Sequence, residues 1–451
     1  MIGVGCCYLF FAVLGAEAVP PPTVLIPPAP EAKTPWRYTT EKPPEGWLQP
    51  DFDHSAWKEG PAGFGTAGTP GAVVGTEWNT PDIWLRKVFE YDGRPFQRAA
   101  LRLHHDEDIA VYLNGKQIFT AAGYRTDYRW LVVTELVQKA LRKGRNVLAV
   151  SCHQTYGGQY VDVGLVLDPV GGYFERPALP PLKPLFDFPV RDPCICLGPD
   201  GNYYLTGTTG WPTWWKTNEG IRLWRSPDLK NWTDLGLVWK IEDGTWQKKF
   251  HKDLRALWAP EIHYLKGTFW ITYCMNYGGT GLLRSTSGKA EGPYVDVHPH
   301  GPLTDKIDAS LFADDDGKVY FVWQNGMIAR LKDDMTGLAE QPRLLNPQGA
   351  KQVGFEGAFL TKKDGRYYLI CADFIDGQYH AMAASAEHVY GPYGPRYLAI
   401  PHGGHNMLFS DKEGNWWSTF FGNDRDAPFR ERPAILRIEL DPQGRIRPKV
   451  P

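Results

Sequence analysis

The chain is poor in the features that would place it quickly. Seven cysteines occur in 451 residues, with no Cys-x-x-Cys pair and no zinc-type spacing, so neither a metal ribbon nor a redox motif is expected. Cys6 and Cys7 sit in the N-terminal apolar run. The other five, Cys152, Cys194, Cys196, Cys274 and Cys371, are an odd number, which argues against a full disulfide framework. Cys194 and Cys196 lie two apart in a strand-like segment, where direct pairing is geometrically poor. Buried free thiols are the expectation. An excess of either charge is also missing: 49 Lys and Arg face 51 Asp and Glu, with no long basic run, and nucleic acid has no electrostatic footing as a partner. No long amphipathic helical pattern occurs after residue 189. The apolar run from Met1 to Leu14 is too short for a comfortable bilayer span, so no membrane insertion is expected. It lacks Lys or Arg before the apolar stretch, but Ala16-Glu17-Ala18 follows as a small-x-small cleavage site, and residues 1–18 read as an export signal. A secreted or periplasmic location follows from that reading.

What the chain has is aromatic rings and turns: 18 Trp, 48 Gly and 38 Pro. Most of the Trp is expected between β-sheets, although an indole also stacks well on a sugar ring. Two Pro-rich stretches, 19–34 and 171–188, read as linkers. Between them, 35–170 shows short alternating segments such as Ile109-Ala110-Val111-Tyr112-Leu113, with Asn114-Gly115 as a strong hairpin turn. An antiparallel β-sandwich is the natural reading. His104-His105-Asp106-Glu107-Asp108 has the composition of a metal cluster. Neighbours in a strand point to opposite faces, however, and a solvated edge or turn is expected there.

From 189 to 451 the sequence repeats. Five times an ionisable anchor opens a β-type segment, and a Gly followed by aromatics comes soon after. The anchors are Asp192, Glu261, Asp308, Glu356 and His405, and the glycines are Gly201, Gly267, Gly317, Gly365 and Gly414. Anchor to Gly is nine residues in every copy but the second, where it is six, and the last four anchors are 47, 48 and 49 apart. A period of this size, with each unit reading strand, Gly turn, strand, points to propeller blades. The fold class is therefore all-β, a β-sandwich followed by a five-bladed β-propeller. Innermost strands all start at one end of a propeller's axis, so Asp192, Asp308 and Glu356 are expected around one mouth.

Three acids at a common opening suit glycosidic hydrolysis, which needs one carboxylic acid to protonate the leaving oxygen and a second carboxylate to activate water or attack the sugar. Asp192 and Glu356 face each other across the ring, which favours the wider separation of an inverting pair. Asp308, next to Glu356, is expected to raise its pKa by charge repulsion.

The motifs Arg191-Asp192-Pro193, Trp258-Ala259-Pro260-Glu261, Ile307-Asp308-Ala309-Ser310-Leu311-Phe312, Phe355-Glu356-Gly357-Ala358 and Gly404-His405-Asn406 resemble glycoside hydrolase family 43 over about 189–451. The resemblance implies an inverting mechanism with Asp192 as general base, Asp308 as pKa modulator and orienter, and Glu356 as general acid. It implies α-L-arabinofuranosidase or β-xylosidase action, with exo-β-1,3-galactosidase or arabinanase as alternatives. A non-catalytic carbohydrate-binding propeller stands as the reading from another class. No cofactor is required for the chemistry, and the partner is a carbohydrate; oligomeric state is not legible. The family position of His405 is often linked to a water-bound calcium in the central channel, against which stands a hydrogen-bonded channel His; both readings remain open. Trp211, Trp214 and Trp215 form a candidate sugar platform in a long insertion. Glu261 and Asn325 are candidate pocket residues, with structural roles as their alternative. Ala358 stands where the family often has Pro. Asp314-Asp315-Asp316-Gly317 reads as a solvated turn rather than a metal loop. Asp51-Phe52-Asp53-His54-Ser55-Ala56-Trp57, Trp84-Leu85-Arg86, Val111-Tyr112-Leu113-Asn114-Gly115 and Lys143-Gly144-Arg145-Asn146-Val147-Leu148-Ala149-Val150 resemble the galactose-binding-like domain found beside many glycosidases, which implies a jelly-roll β-sandwich for the N-terminal half.

Overall fold

The computed structural model describes residues 22–169, 176–276, 278–348, 350–375 and 377–450. The expected export signal, 1–18, lies outside them, as do residues 170–175. Strands dominate, and the one α-helix among the described residues is Thr134–Ala140.

The first half packs two six-stranded sheets face to face. Long strands carry it: Arg98–Asp106 pairs with Tyr160–Asp168 in one sheet, and Asp82–Tyr91 with Gly144–His153 in the other. Their inward residues, among them Leu101, Leu103, Val163, Leu165, Ile83, Leu85 and Val150, form one core. The Asn114-Gly115 turn has both residues at positive φ, 49° and 82°, the geometry that a two-residue hairpin loop requires. Asn146 fastens it by accepting from Asn114 Nδ2 at 2.7 Å.

Two expectations for this half need correction. The stretch 19–34 is not simply a linker: Thr23–Ile26 pairs antiparallel with Tyr160–Asp168, and Ile26 is fully buried. Thr-Val-Leu-Ile has strand propensity that the flanking prolines disguise, and Pro27 and Pro28 stand just past its end, where no ladder bond is lost. The His104–Asp108 cluster turns at Glu107 and exposes Asp108, as expected, but its histidines are not solvated. His104 and His105 are both buried. His104 packs its ring against Tyr128 and Tyr160, and burial pushes both imidazoles below their usual range.

The second half is five four-stranded antiparallel sheets, each made of four consecutive strands. Their innermost strands are Arg191–Leu197, Leu257–Leu265, Ala309–Ala313, Glu356–Lys363 and Leu408–Ser410. Each of the first three touches the next and the last touches the first, while the outer strands Tyr397–Ile400 and Ile446–Pro448 join the fourth blade to the fifth, which closes a ring. Among the described residues no strand is shared between the first and last blades, and hydrogen bonds hold the closure, the backbone one from Val190 N to the Glu431 carbonyl at 2.9 Å among them. Lys412 N donates to Tyr203 Oη at 3.0 Å and Lys412 Nζ to the Pro227 carbonyl at 2.7 Å. The buried Arg191–Glu431 pair, at 2.9 Å, crosses the same seam. The expected Asp314–Gly317 turn is in place. Asp314 is held from the next blade by Lys362 at 3.0 Å and Tyr367 at 2.7 Å.

Leu179 and Leu182 of the second Pro-rich stretch pack on the propeller core. Leu185 N donates to the Pro433 carbonyl at 2.7 Å. Arg176 reaches His402 at 2.8 Å. From Arg176 onward this stretch is thus fastened to the propeller.

Candidate active site

Every innermost strand is entered through one residue in left-handed backbone: Asp192 (φ 51°), Ala259 (43°), Asp308 (57°), Gly357 (61°) and His405 (53°). Such a conformation costs a non-glycine residue about 1–3 kcal/mol and persists only where its surroundings fix it. In the first, second and fourth blades the pairing register slips at this point, between Arg191 and Cys194, Trp258 and Glu261, and Glu356 and Phe359. A bulge of this kind re-aims a side chain and ends the ladder. Backbone equivalence therefore differs from the anchors expected for two blades. Ala259 replaces Glu261, and Gly357 replaces Glu356, one residue along. The irregular six-residue spacing of the second copy arises here.

Asp192, Asp308 and His405 meet on the axis. His405 Nδ1 is 3.3 Å from Asp192 Oδ1 and 3.9 Å from Asp308 Oδ2. Thr208 donates to Asp192 Oδ2 at 2.8 Å. The Thr208 hydroxyl itself accepts from Ala259 N at 2.7 Å, which commits its proton to the carboxylate. Asp308 Oδ2 accepts from Gly357 N at 3.1 Å, so it holds the peptide that follows Glu356. Burial pushes the Asp308 carboxyl up to about 7; Glu356 and Asp192 add to this, while His405 and the Gly357 N–H oppose it. Burial alone would lower His405, but Asp308, Asp192 and Glu356 overcome it and raise the imidazole to about 9. At neutral pH the ring is thus a buried cation among carboxylates.

Glu356 reaches the same group through its charge on Asp308 and His405. Its Oε1 accepts from Tyr379 Oη at 2.6 Å. Tyr379 is fully buried, and burial first, then Glu356, holds its phenol far above the usual range, so it acts only as a donor. A chain of bonds steadies it. Tyr379 N donates to Asp424 Oδ2 at 2.9 Å, Asp424 Oδ1 pairs with His402 Nδ1 at 2.9 Å, and Arg176 contacts His402 Nε2 at 2.8 Å.

The remaining candidates divide. Trp211 and Trp215 are both more than half exposed, as a platform requires. Trp214 is packed instead: the Arg191 guanidinium lies 4.0 Å over its ring, and Trp258 meets it edge-on at 6.1 Å. Glu261 is buried two residues further along its strand than the blade's left-handed position, and its Oε2 stands 3.2 Å from His263 Nε2. It adds to the field on His405 from the channel. Asn325 sits in the turn after Val319–Trp323. It donates to Gln352 at 2.9 Å, and the preceding Gln324 carbonyl accepts from Ala358 N at 3.1 Å. The turn is thereby fastened beside Glu356 and Gly357.

The donor set does not fit a calcium ligated directly by His405. Its Nδ1 faces two carboxylates as an imidazolium, whereas Ca²⁺ takes six to eight oxygens. Among the described residues no group of three or more His, Cys, Asp or Glu side chains has metal-ligating geometry. The five cysteines among the described residues are free thiols, as expected, and Cys274 lies 3.9 Å from Asp308 Oδ1. Thr208 and Tyr379 belong to the site without having been signalled. They lie on the second and third strands of their blades, and the period marks only the first.

Residues 181–446 match Glycosyl hydrolases family 43. A putative beta-xylosidase of Escherichia coli (strain K12) is 29% identical over 226 residues, which cover 45% of this chain and 39% of that protein. The extracellular exo-alpha-(1->5)-L-arabinofuranosidase ArbA of Cellvibrio japonicus is 27% identical over 218 residues, 40% of this chain and 62% of that one. The chain thus spans less than two thirds of each of these relatives. A solved structure described as a glycoside hydrolase superposes with a TM-score of 0.50 at 20% identity, covering 59% of this chain and 63% of its own, and shares the fold. With more than half of its length matched, over the region that carries all five blades, the chain belongs to glycosyl hydrolase family 43.

Proposed function

We propose that this protein is an inverting glycoside hydrolase that removes terminal arabinofuranose or xylose from a plant-type polysaccharide or its oligosaccharides. The observation that carries the reading is the gathering of Asp192, Asp308 and Glu356, from three blades, around one buried imidazolium. Asp192, oriented by Thr208 and facing His405, takes a proton from a water. The water oxygen attacks the anomeric carbon as the bond to the leaving oxygen breaks. Glu356, oriented through Oε1 by Tyr379, supplies the proton to that oxygen. One proton is taken and one given, and the anomeric centre inverts. Asp308 acts through position: it grips Gly357 N and so fixes the Glu356 backbone. The expectation that Asp308 works as a full anion on Glu356 changes, because burial leaves Asp308 itself only partly ionised near neutral pH.

The sugar assignment draws on the names of the similar proteins, and export on residues 1–18. No helix among the described residues is long and apolar enough to cross a membrane. Export is checked by sequencing the N-terminus of protein recovered from the medium, which should begin at Val19. The activity is tested by following nitrophenyl arabinofuranoside and xyloside hydrolysis by NMR. The first-formed sugar should carry the anomeric configuration opposite to the substrate. Release with retained configuration refutes the mechanism, and wild-type inactivity across a glycoside panel, with sugar binding intact, favours a binding propeller.

A further inference from the structure

Between the sandwich and the fourth blade lies a cavity of about 780 Å³. One wall comes from the sandwich sheet and its N-terminal strand, through Glu31, Arg102, Tyr128 and Trp130. The facing wall comes from the mouth-side ends of the blade's outer strands, through Asp373, Phe374, His380 and Arg396. We propose that this cleft binds the leaving-group part of a neutral polysaccharide chain, so that the sandwich completes the substrate site; the assignment rests on Glu356 being the general acid.

Three observations converge on it. The first is position. Ala372 pairs across from Glu356, and Phe374 lies two residues beyond. The Phe374 ring stacks on Phe355, the residue before the acid, at 5.9 Å, and stands 4.8 Å from the ring of Tyr379, which donates to the acid. The cleft therefore begins on the acid's side of the mouth. An acid that protonates the leaving oxygen has the leaving group on its own side.

The second is surface chemistry. Trp130 is 38% exposed and Phe374 48% exposed, one on each wall. Flat rings that line a cleft and remain open to it suit the apolar faces of sugar rings. Arg102 packs on the indole at 5.4 Å and fixes its orientation.

The third is charge. The ionic groups of the cleft come in pairs: Arg102 with Glu31, Arg129 with Asp127 at 3.6 Å, and Arg396 with Asp373 at 2.5 Å. Arg176 is balanced by Asp424 through His402. Each pair offers hydrogen-bonding edges but little net field, which suits a neutral glycan over a uronate-rich one.

The test compares Trp130→Ala and Phe374→Ala, one from each domain, on two substrates that share the terminal sugar the wild type releases: its nitrophenyl glycoside and a linear neutral oligosaccharide. Each variant should lose about tenfold more kcat/KM on the oligosaccharide than on the nitrophenyl glycoside, mainly through KM. Tyr156→Ser, at an exposed sandwich position, should change neither. Equal losses on the two substrates, or none on the oligosaccharide, overturn the cleft. Calorimetry on Glu356→Gln with the same oligosaccharide separates this from the enzymatic reading. Binding that Trp130→Ala weakens, in a protein whose wild type hydrolyses neither substrate, keeps the cleft and discards the hydrolase. Binding that Trp130→Ala leaves unchanged discards the cleft.

Discussion

The same bond occurs once in each half of the molecule and does different work. In the sandwich Tyr128 donates to Asp162 Oδ2 at 2.7 Å; in the propeller Tyr379 donates to Glu356 Oε1 at 2.6 Å. In both, burial and the carboxylate push the phenol far above its usual range. Asp162 is a closed case. Its Oδ2 also accepts from Ala29 N at 2.6 Å, and Tyr128 bonds to Tyr160 at 2.6 Å. Glu356 is only half-buried, and its charge is felt by two more acids and a His on other blades. Buried, perturbed carboxyls alone do not mark an active site. What separates the two is convergence: left-handed backbone at Asp192, Asp308 and His405 brings two acids from different blades to one imidazole.

The largest expected effect breaks the comparison cleanly. Glu356→Gln and Asp192→Asn should each lower kcat by roughly 10²–10⁴-fold with little change in melting temperature. Asp162→Ala should do the reverse, since it strands the Ala29 N–H, at about 1–3 kcal/mol for an unsatisfied group, and removes one of the two partners of the Tyr128 hydroxyl. Kinetics and calorimetry on the three proteins decide it. A large kcat loss in Asp162→Ala at full stability would erase the distinction drawn between the halves.

A second effect, on the order of 3 kcal/mol, is confined to a pH window. Burial raises the folded Asp162 carboxyl from the ordinary 3.8 to about 6, against the opposing bonds from Ala29 and Tyr128. Folding therefore favours the protonated acid. Its contribution is complete below about pH 3.8 and is lost as pH rises to about 6. Asp162→Asn cannot titrate, so its stability deficit relative to wild type should shrink between these limits. A deficit that stays constant across the window rules out protonation of Asp162 as the source.

Which half was readable follows from the same contrast. The blade period survives in sequence because each hairpin needs a left-handed Gly, as at Gly201, Gly317 and Gly414, and an aromatic pair after it. It placed Asp192, Asp308 and His405 correctly on equivalent positions. The bulges shifted the other two anchors, because a bulge adds a residue without leaving a compositional mark. Thr208 and Tyr379 were invisible because their nearness to the mouth depends on hairpin length. In the sandwich, Pro-rich flanks hid Thr23–Ile26, and with it the Ala29 N–H that Asp162 uses.

The smallest effect is the sharpest discriminator, because one atom is removed from each half. Tyr379→Phe deletes the donor to Glu356 and nothing else that the carboxyl touches directly. The lost bond held the acid in position. Turnover of the nitrophenyl glycoside should fall about tenfold for a charge-assisted bond of this kind. Tyr128→Phe removes the matching bond from Asp162. It should lower the melting temperature while leaving turnover of the nitrophenyl glycoside where it was, because among the described residues the bonds of the sandwich network stop short of Glu356. A tenfold loss of turnover in Tyr128→Phe would mean that Asp162 and Glu356 are coupled through the cleft between the domains. Unchanged turnover in Tyr379→Phe would remove Tyr379 from the support of the acid.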